Sequence, residues 1–167
     1  QKKAMEESRL GIPILFGHDV IHGYRTVFPI PLAQACSWNP ELARLSCEVS
    51  AREAASSGVD WTFSPMVDVA RDPRWGRVME TCGEDVLLNS VMGATQVKAF
   101  QGDGDYANNK EIMATCVKHF AAYGAPQAGR DYHTVDMSRR MFRDRYLPPY
   151  RAAIKAGAAT VMTSFND

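Results

Sequence analysis

The chain has 167 residues, enough to build one ordinary hydrophobic core. Apolar residues make up 46% and charged residues 23%, the balance of an average globular protein rather than a disordered or fibrous one. With 19 basic and 19 acidic residues the net charge is zero and no Lys/Arg-rich run stands out, so neither nucleic acid nor a membrane is an expected partner.

Four apolar runs read as strands, at 12–16, within 59–69, at 115–120 and at 159–165. They are rich in β-branched or aromatic residues and lack clean alternation, as expected of strands buried on both faces. Helical patterns lie between them. Asn39 and Pro40 form a start signal, with Asn as N-cap and Pro at the first helical position. The helix that follows, over 41–56, carries Leu42, Leu45 and Val49 at helical spacing and stops at Gly58. A second helix is predicted over 86–100, ending at Gln101 and Gly102, and a third from the Ser138 N-cap to Gly157. Pro148 and Pro149 must kink or divide that third helix.

The order is therefore β-α-β-α-β-α-β, and the excess length falls in loops after the strands, at 17–37 and 68–85. Long loops after strands and short ones before them fit an α/β fold of the (β/α)8 TIM-barrel type, with about four βα units present and an active face at the C-terminal strand ends. A doubly wound open sheet shares the alternation, but no GxGxxG or GxxxxGK[ST] motif follows any strand. The chain begins at Gln1 without a methionine and stops just after its fourth strand, so it is expected to be a segment of a longer protein. No apolar stretch approaches the roughly 20 residues needed to span a bilayer.

Polar residues collect at the strand exits. Lys118 and His119 close the third run, Asp19 and Asp68 follow the first and second, and Ser164 and Asn166 follow the fourth. Burying an unpaired ammonium costs several kcal/mol, so Lys118 needs a partner or a job. Carboxylates, cations and neutral donors converging on one face suit a neutral polyol, whose hydroxyls both donate and accept hydrogen bonds. Structural alternatives stand beside each residue. Asp19 would cap the turn at 20–23, Asp68 would pair with Arg71, Arg74 or Arg77, and Lys118 and His119 would be an internal ion pair and a core histidine. The dense segment Arg71-Asp72-Pro73-Arg74-Trp75-Gly76-Arg77 would be an ion-paired surface loop. His18 and His22 have metal-pair spacing for a helix but follow a strand, so no metal or cofactor is expected. Cys36, Cys47, Cys82 and Cys116 are single and widely spaced, which reads as free, mostly buried thiols and leaves the compartment open.

The stretches GIPILFGHDVIHGYRTVFPIPLAQACSWNPEL, FSPMVDVARDPRWGRVMETCGED, VKHFAAYG, GRDYHTVDMS and LPPYRAAIKAGAATVMTSFND resemble the N-terminal barrel domain of glycoside hydrolase family 3, which includes many microbial β-glucosidases. They occur in the family's order over nearly the whole chain, so residues 1–167 are expected to be part of one such domain. The resemblance implies that Asp19, Arg77, Lys118 and His119 bind the hydroxyls of a glucosyl unit. It offers Arg130, Asp131, Met162 and Phe165 as weaker pocket positions, with Phe165 standing where part of the family has Tyr. It also implies retaining hydrolysis of a β-glucoside or cello-oligosaccharide, with the nucleophile on a later strand beyond Asp167 and the acid/base in a following domain. Asp167 itself does not belong to the nucleophile motif. On this basis no catalytic residue lies in the chain, and the chain alone is expected to be inactive. The remainder of the barrel and the following domain are expected partners, together with homo-oligomer contacts through exposed sheet edges. A periplasmic or secreted bacterial location is favoured. Asp131 and His133 resemble the His-Asp arrangement of the N-acetylglucosaminidase branch, although the rest of that loop follows the glucosidase pattern. A β-xylosidase, or a non-catalytic carbohydrate-binding half-barrel, is the other alternative.

Overall fold

The computed structural model describes residues 1–106 and 108–166. A short helix, α1 (Lys2–Glu6), leads into β1 (Gly17–His18), and α2 (Pro31–Ala35) precedes α3 (Pro40–Ala55). Then come β2 (Trp61–Thr62), α4 (Val86–Gln101), β3 (Ala114–Phe120), α5 (Arg139–Met141), α6 (Leu147–Lys155) and β4 (Thr160–Thr163). All strand pairs are parallel and the sheet order is β1-β2-β3-β4, the chain order. Sequential parallel strands joined by helices are the arrangement of a barrel segment, and they put every strand's C-terminal end on one face.

Local chemistry starts the helices, at Asn39 and Ser138 where the sequence suggests and at Asp85 besides. Asn39 Oδ1 accepts from the Glu41 amide at 3.0 Å and Asp85 Oδ1 from the Leu88 amide at 2.6 Å, each satisfying a donor the first turn leaves unpaired. Ser138 Oγ accepts from the Met141 amide at 3.1 Å. The third predicted helix is divided, as its prolines require. A π-helical turn over Phe142–Tyr146 separates α5 from α6, whose first turn holds Pro148 and Pro149. Proline supplies no amide hydrogen and crowds the carbonyl four residues back, so the ladder widens there.

Three expectations from the sequence need correction. Residues 12–16 are not a strand. Ile14 is bonded through both its backbone groups to the Gln1 side chain, at 2.6 and 2.8 Å, and the ladder begins only at Gly17 opposite Trp61. Burial on both faces holds for β3, whose central residues are buried, but not for β1 and β4, which are the outer strands and largely exposed. The apolar stripe Leu42, Leu45 and Val49 is not the buried face either, since both leucines are about half exposed and Val49 is only partly buried. The buried face of α3 is Ala43, Ser46, Cys47, Ser50, Ala51 and Ala54, one position further round. Small residues at that spacing let α3 lie close to α4, and close approach supplies the dispersion contact that bulk would otherwise provide.

The core lies between the helices and one sheet face. Cys47, Ala51, Ala54, Ala99, Phe100 and Met113 pack where α3 and α4 meet the base of β3. Val67, Val97, Val117, Tyr150 and Ala153 pack where α4 and α6 cover β3. Gly93 sets the closeness of α4, because a Cβ there would stand 2.6 Å from Val67 Cγ1. Gln101, at the end of α4, bonds the Thr115 and Ala159 amides at 3.1 and 3.0 Å and the Gly157 carbonyl at 2.8 Å, which fixes β3 and β4 to one helix end.

Candidate active site

Lys118 is carried to the exit of β3, where it forms a parallel bridge with Met66. Its ammonium lies 2.5 Å from Asp19 Oδ1, and the two partners are unequal, with the Lys118 side chain 3% exposed and that of Asp19 58%. Asp19 therefore does not cap the turn after β1. The Val20 amide instead bonds the His18 carbonyl at 3.1 Å and Thr62 Oγ1 at 3.3 Å.

His119 follows, 1% exposed. Its Nδ1 and its backbone amide each lie 3.0 Å from Asp68 Oδ2, and its Nε2 lies 3.4 Å from Arg77 Nη1. Arg77 is held by Glu80 in a two-pronged pair, Nε to Oε1 at 2.7 Å and Nη2 to Oε2 at 2.8 Å. That bonding raises the guanidinium's already high proton affinity, so it stays cationic. The structural reading of Asp68 is right in kind and wrong in partner. Its carboxylate is fully buried and takes His119 and the Tyr150 hydroxyl, the latter at 2.9 Å, instead of any of the three arginines.

The Arg-rich loop divides its labour. Arg74 pairs with Asp72 at 2.7 Å on the surface, Trp75 is buried, and Arg77 turns inward. Trp75 Nε1 and the Tyr123 hydroxyl both donate to Asp131 Oδ1, the former at 2.9 Å. Burial pushes the Asp131 carboxyl up, but those two donors, the Tyr132 amide and the Arg77 charge together outweigh it and hold it below its ordinary range. Burial foremost pushes the Tyr123 phenol up, with Asp131 adding to it, so the phenol keeps its proton. Asp131 thus ties Trp75 of the Arg-rich loop to Tyr123, and no hydrogen bond joins it to His133 among the described residues. Rings of Tyr123 and Phe165 lie 5.0 and 5.1 Å from His119, and Tyr132 lies 5.5 Å from Phe165. Met162 is half-buried on β4, and Arg130 is exposed, making only backbone hydrogen bonds among the described residues. Ser164 and Asn166 bond each other through their side chains.

The sequence-predicted residues therefore meet as two pairs, Asp19 with Lys118 and Arg77 with His119, joined through the Lys118–His119 backbone. Glu80, Tyr123 and Tyr150 were missed. Glu80 had a signal, three residues after Arg77, whereas nothing in the sequence aims Tyr150 of α6 at a loop on another element. His22 serves a turn, its Nδ1 lying 2.9 Å from the Phe28 carbonyl, and His18 packs on the Tyr24 ring. All four cysteines are free, with Cys47, Cys82 and Cys116 buried and Cys36 exposed. A cleft of about 620 Å³ lined by Phe16, Gly17, Val59, Asp60 and Lys110 opens at the opposite ends of the strands, away from these groups.

Comparison with known proteins decides the family. The model described as the glycosyl hydrolase family 3 N-terminal domain matches residues 1–167. The chain belongs to glycoside hydrolase family 3. It is 53% identical over 168 residues to a periplasmic β-glucosidase of Salmonella typhimurium, covering 100% of this chain and 22% of that protein. A β-xylosidase of Formosa agariphila is 38% identical over 175 residues, covering 98% of this chain and 24% of the relative. The crystal structure of a β-glucosidase from Listeria innocua in complex with glucose superposes with a TM-score of 0.98 at 57% identity, over 100% of this chain and 23% of the other. This family 3 chain thus spans less than a quarter of each relative's length. The match also establishes its four parallel strands as part of a TIM-type barrel domain.

Proposed function

We propose that this chain is part of one family 3 barrel domain and supplies the glucosyl-binding subsite of a retaining β-glucosidase. The observation that carries this is the polar cluster at the exit of β3. A buried ammonium on an exposed carboxylate and a guanidinium against an imidazole bring several donors and acceptors together at one strand exit, a set that suits the hydroxyls of a neutral ring. In this reading Asp19 accepts from sugar hydroxyls, Lys118 and Arg77 donate, and His119 faces the same ring, with Phe165 and Met162 as pocket wall. Hydrogen bonds that tighten as the ring flattens toward an oxocarbenium-like state favour the transition state over the bound substrate.

Retaining hydrolysis needs a nucleophilic carboxylate and an acid/base carboxyl about 5 to 5.5 Å apart. The carboxylates near the cluster are already committed: Asp19 to Lys118, Glu80 to Arg77, Asp68 to His119 and Asp131 to Trp75 and Tyr123. We assign none of them as nucleophile and place both catalytic carboxyls in the parts of the protein outside this chain, the rest of the barrel and a following domain. The 53% identity to a periplasmic β-glucosidase supports a periplasmic or secreted setting.

The test is hydrolysis of p-nitrophenyl β-glucoside by the full-length protein. Turnover is expected, with glucose released first as the β-anomer, and the 167-residue chain alone is expected to be inactive. Preference for the xyloside would move the protein to the β-xylosidase branch. Turnover by the isolated chain would refute the placement of the nucleophile.

A further inference from the structure

His119 belongs to the proposed subsite, but what it offers a ligand depends on which ring nitrogen carries the proton, and groups remote from the ligand decide that. Asp68 Oδ2 lies 3.0 Å from Nδ1 and also accepts the His119 backbone amide at 3.0 Å. A carboxylate oxygen has lone pairs and no hydrogen, so it accepts from both, and Nδ1 carries the hydrogen toward it. On the other side Nε2 faces Arg77 Nη1 at 3.4 Å. A guanidinium has donors and no lone pair, so Nε2 toward it must be the bare nitrogen. The other neighbours add no competing charge at the ring: Tyr123 and Phe165 present rings at 5.0 and 5.1 Å, and Glu80 is spent on Arg77. Tyr150 locks the arrangement from α6. Its single hydroxyl hydrogen lies between two acceptors, Asp68 Oδ1 at 2.9 Å and the His119 carbonyl, and burial, with the Asp68 charge beside it, keeps that phenol protonated.

We propose that Asp68, braced by Tyr150, is a positioning residue that holds His119 as the neutral Nδ1–H tautomer, so that Nε2 keeps one lone pair, which faces Arg77 at 3.4 Å in the free site and is taken over by a sugar hydroxyl on binding. This rests on the glucosyl-subsite reading given above. It adds a polarity: the His119 position takes a hydroxyl donor, because a bare nitrogen has a lone pair and no hydrogen to give.

The experiment uses the full-length protein and reads the His119 ring by nitrogen NMR without substrate, its signals assigned by their loss in His119→Gln. Wild type is expected to show Nδ1 protonated and Nε2 bare. Asp68→Asn should keep that tautomer, because the carbonyl oxygen that accepts the His119 amide also accepts Nδ1–H, while its amide donates to the Tyr150 oxygen. That variant should retain kcat/KM for the aryl β-glucoside within about threefold. Asp68→Ala removes the acceptor, so the tautomers should mix and kcat/KM should fall by about 10- to 100-fold, the usual cost of losing a group that orients a site histidine. Protonated Nε2 in the wild type overturns the proposal whether or not Asp68→Ala folds. So does a loss beyond 100-fold in Asp68→Asn with its tautomer intact, or a folded Asp68→Ala with normal tautomer and activity. A wild type with the expected tautomer and no glucoside turnover upholds the positioning and overturns the hydrolase reading.

Discussion

The unequal burial of the Asp19–Lys118 pair yields a prediction in which stability and activity part company. At 2.5 Å the two charges attract by several kcal/mol even in a medium of effective dielectric about 20, before desolvation is subtracted. Removing either partner forfeits that attraction, but what remains differs. Asp19 is 58% exposed, so in Lys118→Met the carboxylate regains water, while the ammonium that was 3% exposed is replaced by an apolar chain of similar length. That substitution should cost less than about 1 kcal/mol and is allowed to stabilise, as replacement of buried charge by packed hydrophobe often does. In Asp19→Ala the buried ammonium loses its counter-charge. The full penalty for breaking a buried pair is about 3–5 kcal/mol; discounted for the solvent reaching Asp19's side, about 2–3 kcal/mol is expected. The double variant should return to within about 1 kcal/mol of wild type, since it removes the stranded charge. Activity should follow no such order. Both single variants and the double should lose at least about 100-fold in kcat/KM for the aryl β-glucoside, about 2.7 kcal/mol of transition-state binding. Urea unfolding midpoints and initial rates on the full-length protein measure the two quantities. Equal destabilisation by the two single variants, or a double variant no more stable than Asp19→Ala, would refute the assignment of the buried cost to Lys118.

Two further outcomes are expected. Glu80→Ala should lower kcat/KM by about tenfold or more through a looser Arg77, with most of the loss recovered in Glu80→Gln, which still accepts from one guanidinium nitrogen; a normal rate in Glu80→Ala would show that Arg77 needs no clamp. Burial pushes the Cys47 and Cys82 thiols up to about 12, so at pH 8 only about one in ten thousand is thiolate, and iodoacetamide should label exposed Cys36 alone until the chain is unfolded. Labelling of Cys47 or Cys82 in the native protein, with a rate rising through pH 8, would contradict that burial.

Membership of family 3 raises the weight of the strand-exit residues without explaining them, since a family match names neither partners nor protonation. The relatives include a β-glucosidase and a β-xylosidase, whose substrates differ by one hydroxymethyl group. Residues that meet the ring hydroxyls common to both sugars, as proposed for Asp19, Lys118 and His119, cannot discriminate them.

Local chemistry was legible before any coordinates. Asn39 with Pro40, Ser138 and the Pro148-Pro149 pair act on backbone groups within a few residues, so the order of letters already contains both partners of each interaction. The Lys118–His119 pair was legible for a related reason, because a cation at the end of an apolar run has to be answered by something. What answers it was not. Asp19 is 99 residues from Lys118, and Tyr150 reaches Asp68 across 82. The face that α3 buries also depends on how closely α4 approaches it, a choice between a stripe of leucines and a stripe of small residues that periodicity alone leaves tied. Contacts between distant segments are set by how strands and helices stack, and stacking is a property of the whole chain rather than of any window along it.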